Sequence, residues 1–139
     1  MSAARQAPCP CGLSAPYSAC CGRYHGAALL GTALSTPGVP APTAEALMRS
    51  RYSAHVLGRT DYLLSTWHPS TRPLTLDDNP PELKWLGLDL RRATTLSATL
   101  ASVEFVARSK FGGRAQRLHE TSRFVFEDGR WFYLDGEIR

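Results

Sequence analysis

No apolar run in this 139-residue chain approaches the roughly 20 residues a helix needs to cross a bilayer. Lysine is nearly missing. Only Lys84 and Lys110 occur, so arginine carries the net charge of +4. Basicity this mild permits an acidic partner such as RNA without demanding one. No internal repeat, phosphate-binding glycine loop or Ser-His-Asp order is visible. Cysteine is absent after residue 21, and residues 1–8 lack the apolar segment of an export signal. Together these absences predict reduced thiols and a cytoplasmic setting. Length and a hydrophobic content of 43% suit one ordinary packed domain, or a small domain with a short appendage.

What is present is concentrated at the start. Residues 9–21, CPCGLSAPYSACC, hold Cys9, Cys11, Cys20 and Cys21 in the pattern C-x-C-x8-C-C. Four thiolates so closely spaced suit one tetrahedral zinc ion, with Zn–S bonds of about 2.3 Å. Pro10 stiffens the first pair, and Gly12 permits the turn that aims both sulfurs inward. Two disulfides are the competing arrangement, but adjacent cysteines seldom reach disulfide geometry with each other. His25 is an alternative fourth ligand in place of Cys21. With all four positions filled by protein, no site stays open for water, so the zinc is read as structural.

Residues 1–8 are expected to lack order, and 26–42 read as a proline-rich linker in which 27–34 could form a short helix. The division is therefore a knuckle over 1–25, a linker over 26–42 and a main domain over 43–139. On this reading the knuckle hangs beside the domain. Thr43 is a good N-cap and Gly58 a C-terminal stop for a helix over 44–57, with Leu47, Met48, Tyr52 and Val56 at helical spacing. Thr60 is expected to cap a second helix over 61–67, halted by Pro69. A proline-rich loop follows over 69–82. Strand-like patterning then covers 85–92, 95–111, 116–127 and 130–137. Helices followed by an antiparallel sheet make the fold class α+β.

Asp128-Gly129 is a two-residue hairpin signal that sets a register. Pairing Glu127 with Arg130 puts Phe126 opposite Trp131, Phe124 opposite Tyr133, Ser122 opposite Asp135 and Glu120 opposite Glu137. All lie on one face, aromatic near the turn and polar at the far end. Acid–base catalysis would draw on Glu120, Asp135 and Glu137, with His68 or His119 carrying protons. Arg49, Arg51 and Arg72 could supply the cation that facing carboxylates need. Tyr52, Ser122 and Trp131 complete the candidate pocket. The competing reading makes Glu120, Arg49 and Arg72 a structural ion-pair network, His68 a cap on the second helix and His119 a solvated strand residue. Arg91, Arg92, Arg108, Lys110, Arg114 and Arg117 could track a phosphate backbone, or simply coat a solvated sheet face.

Two stretches resemble known families. The C-x-C-x8-C-C pattern is similar to the SEC-C zinc motif at the C-terminus of the SecA preprotein translocase and in many small bacterial proteins. That resemblance implies a docking module, with ribosomes, RNA, or translocation and chaperone factors as partner classes. TAEALMRSRYSA (43–54), TWHPSTR (66–72), LHETSRF (118–124) and GRW (129–131), with Tyr133 and Asp135-Gly136, resemble the YchJ family of bacterial proteins. The chain looks several residues longer than that family between Arg23 and Pro42. The resemblance implies a nuclear-transport-factor-two-like cone, two helices packed in a curved antiparallel sheet, behind a small zinc knuckle. Such cones host enzymes in some cases and ligand or partner binding in others, so the implied function is a zinc-binding accessory protein whose knuckle docks and whose cone binds.

Overall fold

The computed structural model of the protein describes residues 7–28, 35–36 and 38–139. Near its start lie a one-turn helix α1 (Gly22–His25) and a two-residue ribbon, β1 (Ala27–Ala28) with β2 (Ser35–Thr36). The short helix expected over 27–34 is strand at its first two residues. Residues 29–34 lie outside the described residues, as do Pro37 and residues 1–6, for which disorder was expected.

The longest helix, α2 (Ala44–Leu57), begins where the Ala46 N–H donates to Thr43 Oγ1 at 3.0 Å. It ends where Gly58 turns left-handed at φ 71°. The second, α3 (Thr60–Ser65), differs from expectation at both ends. Thr60 is its first helical residue, Arg59 holds the N-cap position, and Thr66 ends it well before Pro69. The Thr66 hydroxyl donates to the Tyr62 carbonyl at 2.7 Å and tightens the last turn.

The sheet is a meander of β3 (Leu83–Ser97), β4 (Leu100–Phe111), β5 (Arg114–Glu127) and β6 (Arg130–Ile138), each antiparallel to the next. Asp128 and Gly129 both take positive φ, 53° and 78°, as a twist-matched hairpin turn requires. The single strand expected over 95–111 is instead broken by a turn at Ala98-Thr99, where the Thr99 N–H donates to Ser97 Oγ at 3.2 Å. No glycine, proline or asparagine marks that turn. These elements make the class α+β.

The hairpin register holds for Phe126 with Trp131 and Phe124 with Tyr133. Beyond them a bulge leaves Leu134 unmatched, and Arg123 faces Asp135, Ser122 faces Gly136 and Glu120 faces Ile138. The expected Ser122–Asp135 and Glu120–Glu137 oppositions therefore do not form. One inserted residue moves everything beyond it to the other face.

The core gathers Leu47, Met48, Tyr52 and Ala54 of α2 and Tyr62 and Leu63 of α3 against Val103, Phe105, Ala107 and Phe124 of the sheet. Among the described residues no helix is long and apolar enough to cross a membrane. Phe124 has no solvent exposure, whereas Leu74 in the 69–82 loop is 98% exposed. Replacing Phe124 with Ala is expected to cost about 3–5 kcal/mol, and Leu74→Ser to stay within about 0.5 kcal/mol. Urea midpoints at constant slope measure both, and equal losses would contradict this placement of the core.

Candidate metal centre and adjoining cavity

The four cysteines are buried, and none forms a disulfide. Their sulfurs all lie within 4.8 Å of one another, and Cys11 Sγ and Cys20 Sγ stand 3.6 Å apart. A tetrahedron with metal–sulfur bonds of about 2.3 Å has edges of about 3.8 Å, so these four thiols can hold one metal ion. These thiols are also tightly coupled to one another. A hydrogen bond from Cys21 brings the Cys11 thiol down to about 5, while burial pushes Cys20 up to about 11. The bond to Cys11 raises Cys21 as well. Without a positive ion, one thiolate forms and suppresses its neighbours.

His25, the alternative ligand, is otherwise occupied. Its Nε2 donates to the Ser50 carbonyl at 2.7 Å, so its Nδ1 accepts from the Tyr17 hydroxyl at 2.6 Å. Burial holds this imidazole below its usual pKa, in the neutral form that the two bonds require.

The cysteines cluster apart from the main core, and side chains of α2 hold the knuckle against the domain's flank. Ser53 Oγ of α2 lies 3.4 Å from Cys9 Sγ, and Arg49 Nη1 donates to the Cys11 carbonyl at 3.0 Å. Arg59 grips the far end. Its guanidinium donates to the His25 and Gly26 carbonyls at 3.0 and 2.9 Å while held by both oxygens of Asp61. The Val39 N–H returns to the Arg23 carbonyl at 3.0 Å, and an added Cβ at Gly38 would collide with the backbone of residues 23 and 24. Glycine is what lets the returning chain lie so close.

Away from the knuckle, α2 forms one wall of a cavity of about 270 Å³. Arg51, Tyr52, Glu120 and Ser122 line it, with Met48, His55, Trp67, Trp85 and Tyr133. The other candidates disperse. Glu120 accepts from the Ser122 hydroxyl at 2.8 Å and lies over Gly136, where an added Cβ would collide with it. Asp135 is paired with Arg123 at 2.7 Å, and that bond holds its carboxyl below the usual range. Glu137 is exposed, with Arg139 at 3.9 Å. Bulge and pleat thus send Asp135 and Glu137 away from Glu120, and the expected carboxylate cluster is not assembled. The alternative Glu120–Arg49–Arg72 network is not assembled either: Arg49 serves the knuckle, and Arg72 Nε donates to the Trp67 carbonyl at 2.9 Å.

His68 does not cap the second helix. It bridges Ser70 and Glu127, at 2.7 and 3.2 Å, and its N–H joins the Tyr133 carbonyl of β6 at 2.8 Å. His119 bonds Glu104 at 2.7 Å on the opposite side of the sheet from Glu120. Trp131 lies outside the 270 Å³ cavity and instead walls a smaller one of about 150 Å³, with His25 and Leu47.

Residues 43–136 match the family described as YchJ, middle NTF2-like domain. The chain belongs to the YchJ-like family. A UPF0225 protein of Methylibium petroleiphilum is 59% identical over 131 residues, spanning 94% of this chain and 88% of the relative. One from Chromobacterium violaceum is 55% identical over 137 residues, covering 96% and 94%. The solution structure of a SEC-C motif containing protein from Rhodopseudomonas palustris superposes with a TM-score of 0.75 at 34% identity, over 94% of this chain and 98% of that one. A crystal structure of a SEC-C motif containing protein from Psychrobacter arcticus gives 0.74 at 34% identity, over 97% and 84%.

In this YchJ-like chain, reading for apolar period passed over Ser50, Ser53, His55 and Arg59. Serines in mid-helix were the available signal, since they weaken a helix unless something uses their hydroxyls. The His55 ring lies tilted against Trp85, centroids 5.7 Å apart, and burial, then the charge of Arg51, brings its pKa from 6.5 to about 4. A depressed histidine favours folding when neutral. Its contribution is full above the unfolded value near 6.5 and is lost as pH falls toward about 4. Between pH 7 and 4.5, His55→Phe is expected to lose less stability than the unaltered protein by about 2–3 kcal/mol. Urea midpoints at both pH values check this, and equal losses would refute it.

Proposed function

We propose that the protein is a cytoplasmic zinc-binding accessory protein. The observation that carries this is the buried, disulfide-free cluster of Cys9, Cys11, Cys20 and Cys21, whose spacing matches a tetrahedral Zn–thiolate site. The zinc is structural, folding the knuckle around Cys9, Cys11, Cys20 and Cys21 into a surface that docks a protein partner or the ribosome and its RNA. Likeness to SEC-C motif proteins supports that role. Residues 26–42 connect it to a cone over 43–139, in which α2 and α3 lie in the hollow of the curved sheet and the cavity beneath α2 receives a ligand. The shared packing of α2, α3 and one sheet face supports the cone arrangement.

A second reading, direct binding of nucleic acid, is favoured by one specific observation. Arg108 pairs across strands with Arg117, and Lys84 with Lys110, all exposed. Directly opposed like charges destabilise a sheet by several tenths of a kcal/mol, a cost that an anionic partner removes.

Metal analysis of the purified protein should return one zinc per chain, falling below about a tenth in Cys11→Ser. Cys20→Ser with Cys21→Ser should lose the partners captured by the unaltered protein, and unchanged partners would sink the docking role. For the second reading, RNA retardation should weaken steeply between 50 and 200 mM salt and weaken further in Arg108→Gln with Arg117→Gln.

A further inference from the structure

Arg51 is a buried cation short of a partner. It is 5% exposed, and its described hydrogen bonds both leave Nη1, for the Leu63 carbonyl and Thr66 Oγ1 at 2.8 Å each. Among the described residues it forms no ion pair. Its guanidinium lies against the rings of Tyr133 and Trp67, at 4.5 and 5.3 Å from their centroids. Burial lowers its pKa to about 10, with Tyr133, Tyr62 and Glu120 offsetting only part of that effect. The natural internal partner is turned aside, because Glu120 lies over Gly136 and accepts from Ser122.

Apart from His55, Glu120, Ser122 and the Tyr133 hydroxyl, the rest of the cavity wall is apolar. Met48, Tyr52, Leu76, Trp85, Phe105 and Leu118 surround the space. The indole N–H groups of Trp67 and Trp85 are buried without a hydrogen-bond partner among the described residues. Glu120 is the single acidic side chain lining the cavity. Resting on the proposal that this cavity receives a ligand, we infer that the ligand is a small organic monocarboxylate, its carboxylate completing the ion pair with Arg51 and its apolar body lying against Trp85 and Phe105. Fork-shaped guanidinium groups suit carboxylates. Any anion here also meets the charge of Glu120, so a monoanion is repelled less than a phosphate dianion while still pairing with Arg51. A void of about 150 Å³ accepts benzene, so about 270 Å³ admits a body of one or two rings.

The test uses the full, metal-loaded chain labelled with ¹⁵N. Benzoate, 4-phenylbutyrate and 2-naphthoate are each titrated beside their own primary amides, with phenyl phosphate as the dianion. The chain has three tryptophans, so the indole resonances of Trp67 and Trp85 report on the cavity and that of Trp131, outside its wall, is the internal control. At least one carboxylate should move the first two and not the third, binding roughly tenfold to a hundredfold more tightly than its amide or the phosphate. Arg51→Met should abolish that preference. Should that variant fail to fold, Glu120→Gln decides: it should tighten carboxylate binding several-fold and leave the amide unchanged. An amide or phosphate that binds as well as the carboxylate overturns the monocarboxylate assignment and leaves the ligand-binding cavity standing. If no compound moves Trp67 or Trp85 at millimolar concentration, the ligand-binding reading falls with it.

Discussion

Helix α2 is buried almost all round, and much of what it buries is polar. Ser50, Arg51 and Ser53 sit in the interior beside Leu47, Met48 and Tyr52. A polar group taken from water costs free energy unless it is paired, so each residue dictates something about its surroundings. Ser50 Oγ donates to the Leu47 carbonyl and meets the Tyr62 hydroxyl at 2.8 Å, while its own carbonyl receives His25. Ser53 meets Cys9, and Arg51 closes the end of α3 through Leu63 and Thr66. The knuckle, the second helix and the cavity are thus three answers to one demand for partners.

Side chains on a helix advance about 100° per residue, which explains how α2 keeps two neighbourhoods apart. Arg49, Ser50 and Ser53 fall in one sector and meet the knuckle. Met48, Arg51, Tyr52 and His55 fall in the opposite sector and meet the cavity. Leu47 lies between them in the core. Such a helix carries polar residues in both sectors because each is covered by another part of the chain rather than by water.

That is also why some features were legible in the sequence and others were not. Local chemistry read well: the Thr43 cap, the Gly58 stop, the Asp128-Gly129 turn and the cysteine spacing each depend on residues adjacent in the chain. The turn at Ala98-Thr99 escaped because it carries no residue with a special backbone preference. The Leu134 bulge escaped for a different reason. Nothing in a strand's composition announces an extra residue, yet one is enough to send Asp135 outward to Arg123 while Tyr133 stays inward. The carboxylate cluster was a correct extrapolation of the hairpin carried one bulge too far. The docking of the knuckle was hidden in Ser50 and Ser53, which look like solvent-facing residues until the covering segment is seen.

The two ionic environments of the sheet follow from the same arithmetic. On the outer face, Glu104 meets His119, Asp135 meets Arg123, and Asp89 lies between Arg91 and Arg108, at 2.9 and 4.0 Å. These pairs, exposed or partly so, contribute little each, since solvent already screens them. On the inner face there are fewer charges and less water, so one misplaced carboxylate matters more. Gly136 is the residue that decides it. Standing opposite Ser122, it leaves room for the Glu120 carboxylate to rest against the strand, where any larger residue would force it to move. A glycine on an edge strand thereby sets where the cavity's acidic side chain rests, and the bulge two residues earlier is what brings that glycine into register.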